Sequence, residues 1–537
     1  MNRSTVAALM VGGLALALAG AYALSRPSAE DARPNVLVIL WDTVRADRLS
    51  LYGYDHDTTP RMAAWAEASG VIFEQAISPA MWTVPSHASL FTGLPPSTHG
   101  AGFDHRWLDD HRTTLAEHFT AHGYDTFAFS ANPNLHPRRV NLLQGFETIQ
   151  TSWGRKWKRR VLAHTRRKLI ARDQSTEVSP GRPGARPNPG FYNAGPAARD
   201  ALIAHLATRD DKDRPFFAFL SYMEAHKPRL PRMRSRRAVA DRATIELGLQ
   251  TDLTFDRQLA YSYGRAPMTD DELEAVNRVY DATLLDLDEA TADLLDDLEA
   301  RGILEDTIVV FTADHGEQLG EHGQFGHRHG VYQALLHVPL VIAYPKKLAP
   351  RRVTHPVTNL SVFDTLLTLT GLPAPDSGYL PGNLLDAAAA AAPVFGETIS
   401  IDRLGFQRIQ QRFPDLDDEG WARLFRTVVE GPLKLVQHVD FDSHEVVDHE
   451  LYDLSQDPHE TNDLAAARPD DVKRLDQVIA AWHGTLQPWS PPLDDAAAEV
   501  EPMSKAECRQ LELLGYVTEG CEELPGGSED EAPAEPE

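Results

Sequence analysis

Cysteine is almost absent: two occur in 537 residues, Cys508 and Cys521, both near the C-terminus. Their spacing permits a small disulfide loop in an oxidising compartment and equally permits two separate thiols. Neither lies near a candidate site, so thiol chemistry does not enter there. Positive charge is also scarce. With 52 lysines and arginines against 78 acids, the formal net charge is −26. That balance favours solubility and argues against nucleic acid as the main partner. Long apolar runs are missing apart from residues 6–24, which follow a lone basic Arg3. This segment reads as an export signal or an uncleaved membrane anchor, placing the chain in the periplasm or another extracytoplasmic space.

The rest is ordinary globular sequence, long enough for one large domain plus a smaller one. "NVLVILWDT" (35–43), "PFFAFLSYMEAH" (215–226), "DTIVVFTADHG" (306–316) and "HVPLVIAY" (337–344) are short apolar runs that read as buried strands. Between them, "TPRMAAWAEASG" (59–70) is an amphipathic helix stopped by Gly70, and residues 113–132 read as helix, glycine stop and strand. Residues 269–302 are a long helix opened by a Thr269/Glu272 capping box and closed by Gly302. Helices alternating with buried strands predict a doubly wound α/β domain over 34–389. Residues 151–200 interrupt it with the strongly basic "WGRKWKRRVLAHTRRKLIAR" and a Pro/Gly loop. Such a helix either lies on an anionic membrane surface or is a solvated insertion facing the acidic remainder. Residues 390–517 read as a small α+β subdomain with antiparallel strands and a closing helix near 469–484. The acidic tail 518–537 reads as disordered.

Chemistry-bearing residues gather at predicted strand ends. Asp42 ends the first strand, His226 another, and Asp314 with His315 a third. In open α/β sheets sites form at that edge. Two carboxylates and an imidazole meeting there repel or desolvate one another unless a cation sits between them. "MWTVPSHASLFTGL" (81–94) puts Pro85 in a helix's first turn and Thr83 at its N-terminus, where backbone N–H groups favour an anion. Alone, Thr83 is a plain capping residue; beside a metal, its hydroxyl can attack a phosphorus or sulfur centre.

With "NVLVILWDTVRADRLSLYGY", "WTVPSHASLFTGL", "YMEAHKP", "FTADHGEQLGEHGQFGHRHGVYQALLHVPLVI" and "ELYDLSQDPHETNDL" together, the chain resembles the sulfatase family of the alkaline phosphatase superfamily. The resemblance runs over about 34–517. It implies an alkaline-phosphatase-like, mostly parallel sheet with helices on both faces. It also implies a divalent metal held by Asp42, Thr83, Asp314 and His315, with Thr83, His87, His226 and His327 catalytic and Asn132, His226 and His327 contacting substrate.

Several positions depart from the family pattern. Thr43 replaces a second acid after Asp42. Thr83 stands where the family has a Cys or Ser oxidised to formylglycine. His87 replaces an Arg, and "FSANPN" replaces a lysine motif, leaving Asn132 as a neutral donor. The β-methyl of threonine closes the aldehyde route, so the resemblance implies a direct threonine nucleophile, as in superfamily phosphotransferases and phosphodiesterases. His315 favours zinc or manganese over calcium or magnesium. His329 could help hold a second ion or simply be exposed. Asp47 reads as an N-cap or an ion-pair partner, and Glu317 and His322 as residues that support the site from behind or order the loop. The favoured substrate is an anionic phosphoester, such as a phosphodiester or a lipid or envelope headgroup. The competing readings are a sulfuric ester hydrolase lacking formylglycine and a binding protein that keeps the fold without catalysis.

Overall fold

The computed structural model describes residues 33–170, 194–251, 253–375, 381–386, 392–416, 421–490, 505 and 508. The apolar segment 6–24, the Pro/Gly loop of the insertion, Cys521 and the acidic tail lie outside the described residues. Cys508 is buried and disulfide-bonded.

The main sheet is built from β1 (Asn35–Trp41), β2 (Gly70–Ile77), β3 (Asp125–Ser130), β4 (Thr148–Thr151), β5 (Phe216–Tyr222) and β6 (Thr307–Ala313). A two-residue hairpin, β7 (Gln318–Leu319) and β8 (Phe325–Gly326), precedes β9 (His337–Val338), β10 (Leu340–Ala343) and β11 (Arg351–Thr358). The strand order is β11-β2-β10-β6-β1-β5-β3-β4, with β9 beside β2. Strands β1, β3, β4, β5, β6, β2 and β11 run one way; β10 and β9 run against them. The central strands β5 and β6 are buried throughout, and β1 over Val36–Trp41. At ~1.5–3 kcal/mol per large apolar side chain removed from water, these runs anchor the core.

The expected single strand at 337–344 is broken. Pro339 offers no N–H, so β9 stops short and β10 continues antiparallel between β2 and β6. Gly70 does end the first helix, α1 (Pro60–Ser69), but it is also the first residue of β2. A Cβ there would lie 2.5 Å from Val341 Cγ1, so only glycine lets β10 approach.

Further helices surround the sheet: α2 (Thr83–Thr92), α3 (Leu115–Ala121), α4 (Arg155–Ile170), α5 (Ala194–Thr208) and α6 (Asp270–Ala300). The capping box at Thr269 and Glu272 forms as the sequence predicts. Helix α4, in the basic insertion, buries Trp157, Val161 and Thr165 against the body, with the Trp157 ring 6.2 Å from that of Phe129. At these three positions its inner side is covered, which removes part of the apolar face a membrane-surface role would need. No described helix is long and apolar enough to cross a membrane. A second, antiparallel sheet orders β12 (Val394–Glu397), β13 (Arg423–Glu430), β14 (Leu433–Asp440) and β15 (Val446–Asp453), and α7 (Pro469–Thr485) packs on it through Leu475 and Ile479. Glu397 N donates to the Pro79 carbonyl, joining this sheet to the loop that leads into α2.

Candidate active site

β1 and β6 are neighbours running in parallel, so their last residues, Trp41 and Ala313, are paired. Asp42 and Asp314 therefore emerge side by side. One ligand atom from each of Asp42, Asp314 and His315 lies within 4.8 Å of the others. Backbone geometry fixes the group. Asp314 Oδ1 accepts from the N–H of Thr43 (3.2 Å) and of His315 (2.9 Å). The Ser78 and Ser86 hydroxyls both donate to the Asp314 carbonyl. Thr43 has φ +59°, an uncommon backbone for a β-branched residue. Tyr280 of α6 holds it there: its hydroxyl donates to the Thr43 carbonyl (2.8 Å) and accepts from the Arg45 N–H (3.1 Å). Gly316 lets the loop fold back, since a Cβ there would be 2.1 Å from the Ala334 carbonyl oxygen.

The buried polar atoms fit a cation. Asp42 Oδ1 has no hydrogen-bond partner and Asp314 Oδ2 no well-aligned one, only the imidazoles of His315 and His87 beside it; that is costly for buried carboxylates unless an ion takes its place there. His315 donates through Nδ1 to the Gly316 carbonyl (2.8 Å), directing Nε2 toward Asp314 Oδ2 at 3.2 Å. Burial, then Asp314, pushes the Asp42 carboxyl well above the ordinary range. Burial acts against ionisation of Asp314 too, but His315 beside it holds that carboxyl at about 2. Burial would lower His315, yet Asp314 and Asp42 raise it to about 9. Protons thus occupy the place a divalent ion would neutralise.

Thr83 is the first residue of α2, all ten residues of which are buried. Its Oγ1 lies 3.5 Å from His315 Nε2. His87 stands one turn on; its Nδ1 donates to the Thr83 carbonyl (2.9 Å) and lies 3.6 Å from Asp314 Oδ2. Asn132 stands within the site, against Asp42. Its side-chain N–H donates to Asp42 Oδ2 and its Oδ1 accepts from the Asn134 N–H, so it orients Asp42. Ser89, on the same helix as Thr83, faces away and bonds His99.

His327 and His226 form the other wall. The His327 ring lies 4.6 Å from that of His315 and 5.3 Å from that of His226. Burial lowers His327 to about 4 and lowers His226 well below the usual imidazole range. Both are therefore neutral at physiological pH, and neither is a standing cation.

Glu317, which the sequence offered as a supporting or loop-ordering residue, and Arg229 and Lys227, which it did not single out, complete this wall. Glu317 is fully buried, 3.4 Å from His327 Nδ1, and accepts from Arg229 Nη2 at 3.1 Å. Burial opposes its charge, but His327 and Arg229 hold its carboxyl far below the ordinary range. Arg229 also lies 4.9 Å from the Tyr280 ring centroid. Lys227 donates to Gln258 Oε1, and burial brings its ammonium down to about 7. Their signal in the sequence was adjacency to His226 and His315 alone. His329, by contrast, packs against Trp421 and Phe425 outside this group, and His322 stacks on Tyr332. Asp47 pairs with Arg45 through two hydrogen bonds.

The sulfatase family model matches residues 34–372. An ulvan-active sulfatase of Formosa agariphila is 27% identical over 360 residues, covering 65% of this chain and 63% of its own length. Arylsulfatase K of Bos taurus is 30% identical over 213 residues, 39% of this chain and 37% of that protein. The chain thus matches less than two thirds of the length of either relative. A phosphonate monoester hydrolase of Agrobacterium radiobacter shares the fold, with TM-score 0.62 and 21% identity over 84% of this chain and 96% of that one. The edge of carboxylates and imidazoles described above lies within the matched region: the chain belongs to the sulfatase family.

Proposed function

We propose that this chain is a metal-dependent hydrolase or phosphotransferase of singly charged oxyanion esters, with Thr83 as the direct nucleophile. The observation that carries the reading is the placement of Thr83 Oγ1 at a helix N-terminus, 3.5 Å from the imidazole that completes the Asp42–Asp314 pair. Those three residues and the hydroxyl would hold a divalent cation, zinc or manganese favoured, which supplies positive charge against the ester oxygen and lowers the hydroxyl's pKa.

The chain's own groups do the rest. Thr83 Oγ1 forms the new bond to phosphorus or sulfur as the ester bond to the leaving oxygen breaks, in line. The first N–H groups of α2 face the equatorial oxygens. Glu317 accepts from His327 Nδ1, fixing the tautomer and leaving Nε2 to serve the substrate. The proton that leaves the Thr83 hydroxyl is taken by the neutral Nε2 of His327 or His226, whose proton affinity the arriving anion raises, and the imidazolium so formed delivers it to the leaving oxygen. Water, or an acceptor alcohol, then releases the group from Thr83.

Charge decides the substrate. The positions where the family carries Lys and Arg hold Asn132 and His87, so the site has fewer fixed cations to meet a dianion. A phosphodiester or phosphonate monoester carries one negative charge, and so does a sulfate monoester. The phosphodiester is the favoured reading. The sulfate ester is the second, supported by the relatives whose names are sulfatases. Trapping with a slow aryl phosphodiester, followed by peptide mass spectrometry, should find phosphate on Thr83. Parallel turnover of aryl phosphodiester, aryl phosphate and aryl sulfate ranks the substrates. Preference for the sulfate by orders of magnitude, with unmodified Thr83, would overturn the phosphoester reading.

A further inference from the structure

The basic insertion contradicts the rest of the molecule. In a chain of net charge −26, the first turns of α4 carry Arg155, Lys156, Lys158 and Arg159, all exposed and none ion-paired to a described residue. Arg160, next to them, is already neutralised by Asp200 at 2.6 Å. The arrangement is locally unfavourable. Arg155, Lys158 and Arg159 are like charges at three- and four-residue spacing, which weakens a helix. They also sit at the positive end of the helix dipole, and the first turn has no acid. Local rules broken together, with no compensation inside the fold, mark a surface that meets a partner.

The position of this surface names the partner's relation to the site. Strand β4 runs parallel to β1, β5 and β3, and α4 begins four residues after β4 ends. The cations therefore lie at the same sheet edge as Asp42 and Thr83. β4 is the third strand from β1, about 14 Å away at ~4.8 Å per strand. Trp157 and Val161 are buried against the body, and Trp157 Nε1 donates to Gln150 at 2.5 Å. Over residues 155–161 the apolar side chains are buried and the cations exposed, so these turns can bind an anion through charge alone.

We infer that the first turns of α4 are a docking surface for an anionic polymer, which they hold so that one of its ester groups reaches Thr83. This deepens the proposed function and rests on it for the ester; the docking itself stands on the charge of α4. The test uses the full chain carrying Thr83→Ala, so that nothing is turned over. Binding of fluorescent dextran sulfate, uncharged dextran and phosphatidylglycerol vesicles is measured at low and physiological salt. Dextran sulfate should bind, weaken as salt rises, and lose about tenfold or more in affinity when Arg155, Lys158 and Arg159 are all changed to Glu. Glutamate at a helix N-terminus stabilises it, so a loss cannot come from unfolding α4. In the chain with Thr83 intact, the same triple variant should turn over a small aryl ester as before. Unchanged dextran sulfate affinity in the triple variant overturns the inference, as does tighter binding of vesicles than of dextran sulfate. Failure of Thr83 to accept phosphate would sink the proposed reaction and leave the binding result to stand or fall alone.

Discussion

Replacing Asp42 with Asn tests the cation site with almost no change of shape. Ligand atoms of Asp42 and Asp314 lie within 4.8 Å; two full charges at that distance repel by about 3.5 kcal/mol at an effective dielectric constant of 20. Without an ion, the protein escapes that repulsion by keeping a proton on Asp42, whose pKa is raised well above 3.8. The folded state then binds more protons than the unfolded state. Stability of the metal-stripped protein therefore falls as pH rises from the ordinary carboxylate value through the raised one. Asn carries no such proton, so stripped Asp42→Asn should lose this slope and be at least as stable as the stripped parent near neutral pH. A divalent ion should reverse the order. At a hundredfold excess over Kd it should stabilise the parent by about 2.7 kcal/mol and the variant by much less. Because His315 holds its proton up to about pH 9, ligation at neutral pH should also release at least one proton, read as a buffer-dependent heat in titration calorimetry. The assay is urea denaturation of chelated protein with and without zinc, manganese or calcium. If the stripped variant lost more than about 2 kcal/mol while the ion stabilised it as much as the parent, Asp42 would be only a hydrogen-bond acceptor for Asn132, and the reasoning would fail.

Glu317→Gln should cost about 3–5 kcal/mol by stranding the Arg229 charge in the core, and Glu317→Gln with Arg229→Met should cost clearly less than the two single changes added. Additive losses in the denaturation cycle would mean the pair is not coupled. Thr83→Ala should abolish turnover without loss of stability, while Thr83→Ser should keep a measurable fraction of it; an active Thr83→Ala protein would point to another nucleophile. Lys227 is buried with its pKa lowered from 10.5 to about 7, so the folded state sheds a proton the unfolded state keeps. Stability should rise with pH between those values, at up to ~1.4 kcal/mol per pH unit from this group, and Lys227→Met should flatten that rise in denaturation midpoints measured on either side of pH 8.

Strands β1, β5 and β6 are legible in the sequence because each is a continuous apolar run ending in a polar residue. Their parallel pairing then brings Asp42, Asp314 and His315 to one edge. β2 is not legible as a separate element: it begins at the glycine that stops α1, with no turn residues between. β11 is masked by Pro356 and by a register shift between Val353 and Pro356. Thr83 is legible through the proline two residues on. Glu317 and Arg229 are not, because their meaning lies in a buried ion pair between residues 88 apart in the chain. Asn132 illustrates the limit of residue type: an amide reads as a substrate donor, and nothing in the sequence tells that it also holds Asp42.

Helix α2 is enclosed along its whole length, so the Thr83 hydroxyl, the proposed nucleophile, is carried by the core rather than by a loop. Burial on all sides fixes the direction of that hydroxyl before any substrate arrives. On the proposed reading, no loop has to close to create the aim of the attack; the fold supplies it in advance.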